Sequence, residues 1–230
     1  MFLVSCKYMS RVLANPSPAH LFERDLSDRG GRTTQDWYAE VASDAYNDLY
    51  TTVRDCLSLE HDLPDTIDDL RPSHRRTLVD VCSRVWPAPA AEAYRRFSQQ
   101  VSEASAIRWR AAVERHGGPE TLLWRMLRLN SSPYYVLSTS RDGFTRLRIG
   151  TPWDWRRSFR LVDFSIEPED AGQPRVRWRA AVSDSVRSVV TDVRGHVEIR
   201  WSHGRFCGNP EAKLYLDSPI HEVPGYFPLV

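Results

Sequence analysis

The chain changes its hydrophobic period once, and that change constrains its fold more than any other feature. From Thr34 to about Asn130 apolar residues recur at helical spacing, whereas beyond Ser131-Ser132-Pro133 they alternate with polar ones. A repeat near 3.6 gathers apolar side chains into one stripe of a helix, and a repeat of two gathers them onto one face of a strand. Helices first and turn-connected strands second predict an α+β fold, with an N-terminal helical part followed by a mainly antiparallel β-sheet part.

Thr34 is a suitable N-cap for a helix in which Val41, Ala45, Leu49, Val53 and Leu57 fall four residues apart, with Tyr38 and Tyr46 beside that stripe. Pro64 and Pro72 punctuate the next stretch, and Ser73 can cap a second helix carrying Leu78, Val81, Cys82 and Val85 on one face before "WPAPA" ends it. A third helix is predicted from about Ala90 to His116, with Tyr94, Phe97 and Val101 on one side, stopping at Gly117-Gly118. Pro119 suits the first turn of a fourth, "PETLLWRMLRL". The candidate strands are "YYVLSTS", "TRLRIGT", "FRLVDFSIEP", "RVRWRAAVSD", "SVVTDVRGHVEIRW" and "EAKLYLDS", separated by turn signals such as "RDG", "DAGQP" and "CGNP". Residues 1–34 read as an N-terminal arm, 35–130 as the helical part and 133–230 as the β-rich part packed with it as one unit.

A hydrophobic content of 41% with eight tryptophans is that of a chain with a core, and 230 residues are enough to bury one. The formal net charge of +1 means that any nucleic-acid or membrane contact must be local. Cys6, Cys56, Cys82 and Cys207 form no CxxC pair, which argues against a disulfide framework and favours a reduced, cytoplasmic setting. The apolar run in "MFLVSCKYMS" is too short to span a membrane and has no signal-peptide features, so no membrane partner is expected, and Met9 is an alternative translation start. No Walker-type GxxxxGK, GxGxxG after a strand, HExxH or GxSxG occurs, which excludes the families that carry those motifs.

Among 31 Lys and Arg residues only Lys7 and Lys213 are lysine. An ammonium is a compact, tunable point charge that a guanidinium cannot imitate, so Lys213 is the leading chemical candidate. In an extended "EAKLYLD", Glu211, Lys213, Tyr215 and Asp217 share one face, and Ala212, Leu214 and Leu216 take the other. Val197, Ile199 and Trp201 make a matching apolar face on the preceding strand, directing Glu198 and Arg200 towards Glu211 and Lys213 if the two strands pair.

Glu211-Ala212-Lys213, with Glu198 upstream where the family has aspartate, resembles the signature of the restriction-endonuclease-like PD-(D/E)xK nucleases over residues 190–217. The resemblance implies that Glu198 and Glu211 hold magnesium, that Lys213 orients the attacking water, and that the substrate is a phosphodiester of DNA. The alternative is a non-enzymatic module that binds nucleic acid, or a protein adaptor that docks a partner through its helical part.

Two basic stretches supply candidate phosphate contacts. Arg175, Arg177 and Arg179 form a row on one face of a strand, and "WDWRRSFR" sets Arg156 and Arg157 beside Trp153 and Trp155 as an aromatic and basic surface for stacked bases. His203, Cys207 and His221 are soft-ligand types around one C-terminal loop, but the second ligand pair of a zinc site is missing from the sequence.

Overall fold

A computed structural model describes residues 4–8, 11–27, 36–82, 86–140 and 143–229. Helix α2 (Trp37–Cys56) starts where the Asp36 carboxylate accepts a hydrogen bond from the Tyr38 backbone N–H at 3.1 Å; the expected cap, Thr34, lies outside the described residues. Its expected stripe is the buried one, with Tyr38, Ala45, Tyr46, Leu49 and Val53 all in the core. Helix α3 (Pro72–Val81) buries Leu78, with Cys82 buried at its end, but leaves Val81 45% exposed; Val85 lies outside the described residues. Helices α4 (Ala88–Arg115) and α5 (Gly118–Met126) meet at Gly117, whose φ of +103° turns the chain between them. Among the described residues no helix is long and apolar enough to cross a membrane.

Of the residues expected as an arm, those described, 4–8 and 11–27, are built into the fold instead. Strand β1 (Val4–Tyr8) pairs in parallel with β3 (Tyr134–Ser140), and β2 (Val12–Ala14) pairs antiparallel with β8 (Pro210–Leu216). The short helix α1 (Pro18–Phe22) buries Leu21 and Phe22 completely. These apolar runs are too brief to signal elements alone, but each finds a sheet edge or a helix to cover it. Met9 lies outside the described residues.

Two sheets result. Strands β3 and β4 (Gly143–Ile149) form a hairpin within a four-stranded sheet of order β1-β3-β4-β9, where β9 is Tyr226–Pro228. Strands β5 (Phe159–Asp170), β6 (Pro174–Asp184), β7 (Val189–Trp201) and β8 make an antiparallel meander, closed by β2 into a five-stranded sheet of order β2-β8-β7-β6-β5. The inner face of the larger sheet carries Val176, Trp178, Ala180, Val197, Ile199, Ala212 and Leu214, all buried, and α4 lies along it. The approach is close because α4 turns small residues inward: Ala93, Ser98, Ser102, Ser105 and Ala106 are buried, and Ser102 Oγ accepts from the Arg175 backbone N–H at 2.9 Å.

Across from Trp178 the register places Gly195, where an added Cβ would lie 2.1 Å from the Tyr215 carbonyl oxygen and 2.4 Å from the indole. Only a residue without a side chain fits between that ring and the β8 backbone. Gly195→Ala is expected to cost about 2–4 kcal/mol through overpacking, read as a lower midpoint in urea unfolding.

Past α1, Asp25 adopts a left-handed φ of +52° and is fully buried. Arg125 Nη1 contacts its carboxylate at 3.2 Å and its carbonyl at 3.1 Å, and reaches the His116 carbonyl at 3.3 Å, tying α1 to α4 and α5. Burial pushes the Asp25 carboxyl up to about 7 against the pull of Arg125. A raised folded-state value means the native state holds its proton longer than the unfolded chain. This group's contribution is therefore fully present below pH ~4 and is lost as the pH rises through about 7. Asp25→Asn, which keeps an acceptor for Arg125, is expected to flatten the fall in stability between those values and to raise the melting temperature at alkaline pH; thermal melts at stepped pH measure it.

Candidate nucleic-acid interface

Strands β7 and β8 bring the three nuclease-like residues onto one surface. Glu198 and Lys213 are register partners, Lys213 Nζ lies 3.8 Å from Glu211 Oε1, and Leu214 and Leu216 are buried on the opposite face. Their carboxylates are nonetheless already engaged. Glu211 Oε1 accepts from Arg200 Nε at 3.1 Å and Oε2 from Asn15 Nδ2 at 2.8 Å; Glu198 Oε1 accepts from Arg175 Nη2 at 3.2 Å. Burial works to raise the Glu211 carboxyl, yet the hydrogen bonds from Asn15 and Arg200 and the charges of Lys213 and Arg200 hold it below the usual range.

Magnesium demands several oxygen ligands in near-octahedral array and tolerates no cation in their place. Here Arg200 and Asn15 hold the two Glu211 oxygens and Arg175 holds one oxygen of Glu198, and among the described residues no three His, Cys, Asp or Glu side chains are grouped to hold a metal. A magnesium ion at Glu198 and Glu211 would therefore compete with Arg175, Arg200 and Asn15 for the same carboxylate oxygens.

The alternation that places Glu198 also places His196, which sequence reasoning passed over. Its Nε2 lies 3.0 Å from Arg175 Nη2 and its Nδ1 2.8 Å from Asp217 Oδ2, and its ring stacks on Tyr215 at 4.7 Å. Arginine only donates, so Nε2 carries the lone pair and Nδ1–H donates to Asp217. The imidazole is locked at both nitrogens.

The arginine row on β6 is likewise neutralised. Arg177 pairs with Glu167 at 3.3 Å, and Arg179 with Asp163 at 2.9 Å and Asp192 at 2.8 Å. Arg175 is held between Glu169 at 3.4 Å and Glu198. A shallow concavity of about 330 Å³ on this face is bordered by Glu167 and Asp217 as well as by Arg177, Arg179 and Arg194. Acidic neighbours on β5 and β7 therefore match every arginine of the row.

Helix α6 (Pro152–Ser158) differs. Thr151 and Asp154 close a reciprocal capping box, and the Thr151 backbone N–H and hydroxyl, with Arg148, hold the Asp154 carboxyl below its ordinary range. Trp155, expected at the surface, is fully buried and meets Trp124 edge to face at 5.9 Å. The helical turn sends Trp153 the other way, and it is 76% exposed. Arg156 stacks on Trp124 at 4.5 Å and pairs with Glu120 at 2.9 Å. Arg157 is exposed and has no hydrogen bond or ion pair among the described residues, and Arg160 contacts only the carbonyls of Arg156 and Phe159.

Next to α6 the four-stranded sheet adds residues that sequence reasoning missed. The register sets Tyr135, Arg148 and Phe227 side by side across three strands. Their neighbours Tyr134, Leu147, Ile149 and Tyr226 are buried, so this row occupies the outer face, with all three half-buried. Arg148 lies 4.6 Å over the Phe227 ring and 3.4 Å from Asp154. Alternation in "YYVLSTS" carried half of this signal, but β9, only three residues long, carried none.

No protein-family model matches the chain, and neither the curated proteins nor the solved structures contain a match.

Arg175 and Lys213 lie at similar depth but differ in how many partners each holds, and their removal should differ accordingly. Arg175→Ala leaves Glu198, Glu169 and His196 without their shared donor and is expected to cost about 1–3 kcal/mol, whereas Lys213→Ala should stay within ~1 kcal/mol. Urea unfolding of both variants makes the comparison.

Proposed function

We propose that this protein binds nucleic acid through α6 and the adjoining face of the four-stranded sheet, and that it does so without hydrolysing it. The observation that carries the reading is Trp153, three-quarters exposed, on the same short helix as Arg157, whose charge no described side chain neutralises. An exposed indole on the same helix as an unpaired guanidinium provides both elements of nucleic-acid contact, a stacking surface and a phosphate partner. Among the described residues, Arg148, Arg156, Arg157 and Arg160 around α6 meet only the carboxylates of Asp154 and Glu120. The larger sheet's outer face opposes its arginines and Lys213 with Asp163, Glu167, Glu169, Asp192, Glu198, Glu211 and Asp217, so phosphates gain less there.

Docking of a protein through the helical part has weaker support. Among the described residues of that part, the large exposed apolar side chains are Val81 and Ile107, one on α3 and the other on α4. Hydrolysis through Glu198, Glu211 and Lys213 would require the carboxylates to shed Arg175 and Arg200 first.

The reading predicts that labelled DNA or RNA binds with an affinity that falls steeply between ~50 and ~200 mM salt. Arg157→Ala should reduce the salt slope by about one and weaken binding, while Arg177→Ala should leave it unchanged. With magnesium present the bound strand should remain intact, and Lys213→Ala should bind as the natural chain does. Cleavage that Lys213→Ala abolishes would reverse this choice in favour of the nuclease.

A further inference from the structure

We propose that the outer face of the four-stranded sheet, with the adjoining helix α6, is a stacking platform for single-stranded nucleic acid, in which the Trp153 ring and the Arg148 guanidinium layered on Phe227 offer flat surfaces and Arg157 holds the strand. The inference rests on the nucleic-acid reading above and names the form of nucleic acid that this surface takes.

It follows from the kind of surface available. In a duplex the bases stack on one another and hide their faces, so exposed aromatic rings gain nothing from them; unpaired bases leave those faces open to side chains. Reading a duplex also requires an element that projects into a groove. Among the elements of this surface, α6 has seven residues, is packed down by the buried Trp155, and holds Arg156 against Trp124. It is too short and too closely seated to enter a major groove.

The sheet face, by contrast, suits a flexible strand. Neighbouring strands of a sheet lie about 4.8 Å apart, so Tyr135, Arg148 and Phe227 form a row spanning roughly 10 Å, a width that accommodates successive splayed bases. Arg148 is held in place by the Phe227 ring beneath it and by Asp154 at its edge, yet its side chain remains 33% exposed, leaving the guanidinium plane available for a base or a phosphate. Asp154 also fixes where Trp153 stands relative to the row. Its carboxylate is hydrogen-bonded to the Thr151 backbone N–H at 3.0 Å and meets Arg148, so the exposed indole, one residue earlier, is anchored next to the sheet. Close packing at Gly150 supports the junction: a Cβ there would come within 3.0 Å of the Phe227 ring and 3.4 Å of the Asp154 Cβ. The first turn of α6, which carries Trp153, is thus fixed at the edge of the sheet beside Arg148 and Phe227.

The test is fluorescence anisotropy of the full chain with three labelled probes of one sequence, roughly 20 nucleotides long: single-stranded DNA, single-stranded RNA and blunt duplex DNA. At least one single strand is expected to bind about tenfold or more tightly than the duplex. Trp153→Ala, Arg148→Ala and Phe227→Leu should each weaken single-strand binding roughly fivefold or more. Trp153 is solvent-exposed, so its substitution reports on binding even if a sheet variant proves unstable. Duplex binding equal to or tighter than the single strands overturns the platform while the nucleic-acid reading stands. The same holds for folded variants that keep natural single-strand affinity. Failure of all three probes to bind at low salt overturns both.

Discussion

The contact between α4 and the inner face of the five-stranded sheet sets the terms for everything else in this molecule. A long helix can lie close along a sheet only where it presents small side chains, and α4 does so with Ala93, Ser98, Ser102, Ser105 and Ala106. Two of these serines meet polar partners as they are buried: Ser105 Oγ accepts from Trp37 Nε1 at 3.0 Å, and Ser102 Oγ takes the Arg175 backbone N–H. The sheet contributes its large groups elsewhere, above all Trp178 packed over Gly195. With the inner face dry, each strand must send its polar alternates outward, and strands of this length put many charges on one surface.

That crowding explains why the most conspicuous charges in the sequence are poor candidates for a ligand. Arg175, Arg177 and Arg179 look like a phosphate-binding row when β6 is read alone. Their partners lie on β5 and β7, and which acidic residue meets which arginine is fixed by strand register, including the irregularity between Leu161 and Asp163. A one-residue slip would have turned those carboxylates to the other face. The row's neutralisation is a property of the sheet and could not be read from "RVRWRAA".

The division into helices and strands was legible because hydrophobic period is a local property that burial enforces over many residues. The α2 stripe and the alternation in β6 to β8 fell where burial required them. Shorter elements lacked enough repeats to declare a period. Strand β2 and helix α1 are stabilised by what they cover, and β9 by pairing with β4. Helix α6 did leave a mark, Thr151-Pro152 followed by Asp154 at the capping-box spacing, and that mark separates the two tryptophans: a helix sends Trp153 and Trp155 in different directions, whereas a strand would have set them on one face. The convergence of Glu198, Glu211 and Lys213 was also foreseeable from alternation. Arg200 beside Glu211 followed from the same alternation, but the engagement by Arg175 and Asn15 did not, because Asn15 comes from a segment that reads as an arm and Arg175 from another strand of the sheet.

The same geometry supplies a reason for the lone lysine of the β-rich part. Lys213 sits across from Glu198 and two residues from Glu211, between two carboxylates that already accept guanidinium nitrogens from either side. A third arginine there would need a planar fork matched to an open carboxylate edge, and the Arg175 and Arg200 pairs have taken those edges. An ammonium has no such planar requirement. It acts as a compact charge with rotatable donors and can sit 3.8 Å from Glu211 without displacing Arg200, offsetting the acidic excess of this part of the sheet. On this view Lys213 balances charge in a crowded ion-pair network, whereas on α6 Trp153 is exposed and Arg157 meets no carboxylate among the described residues.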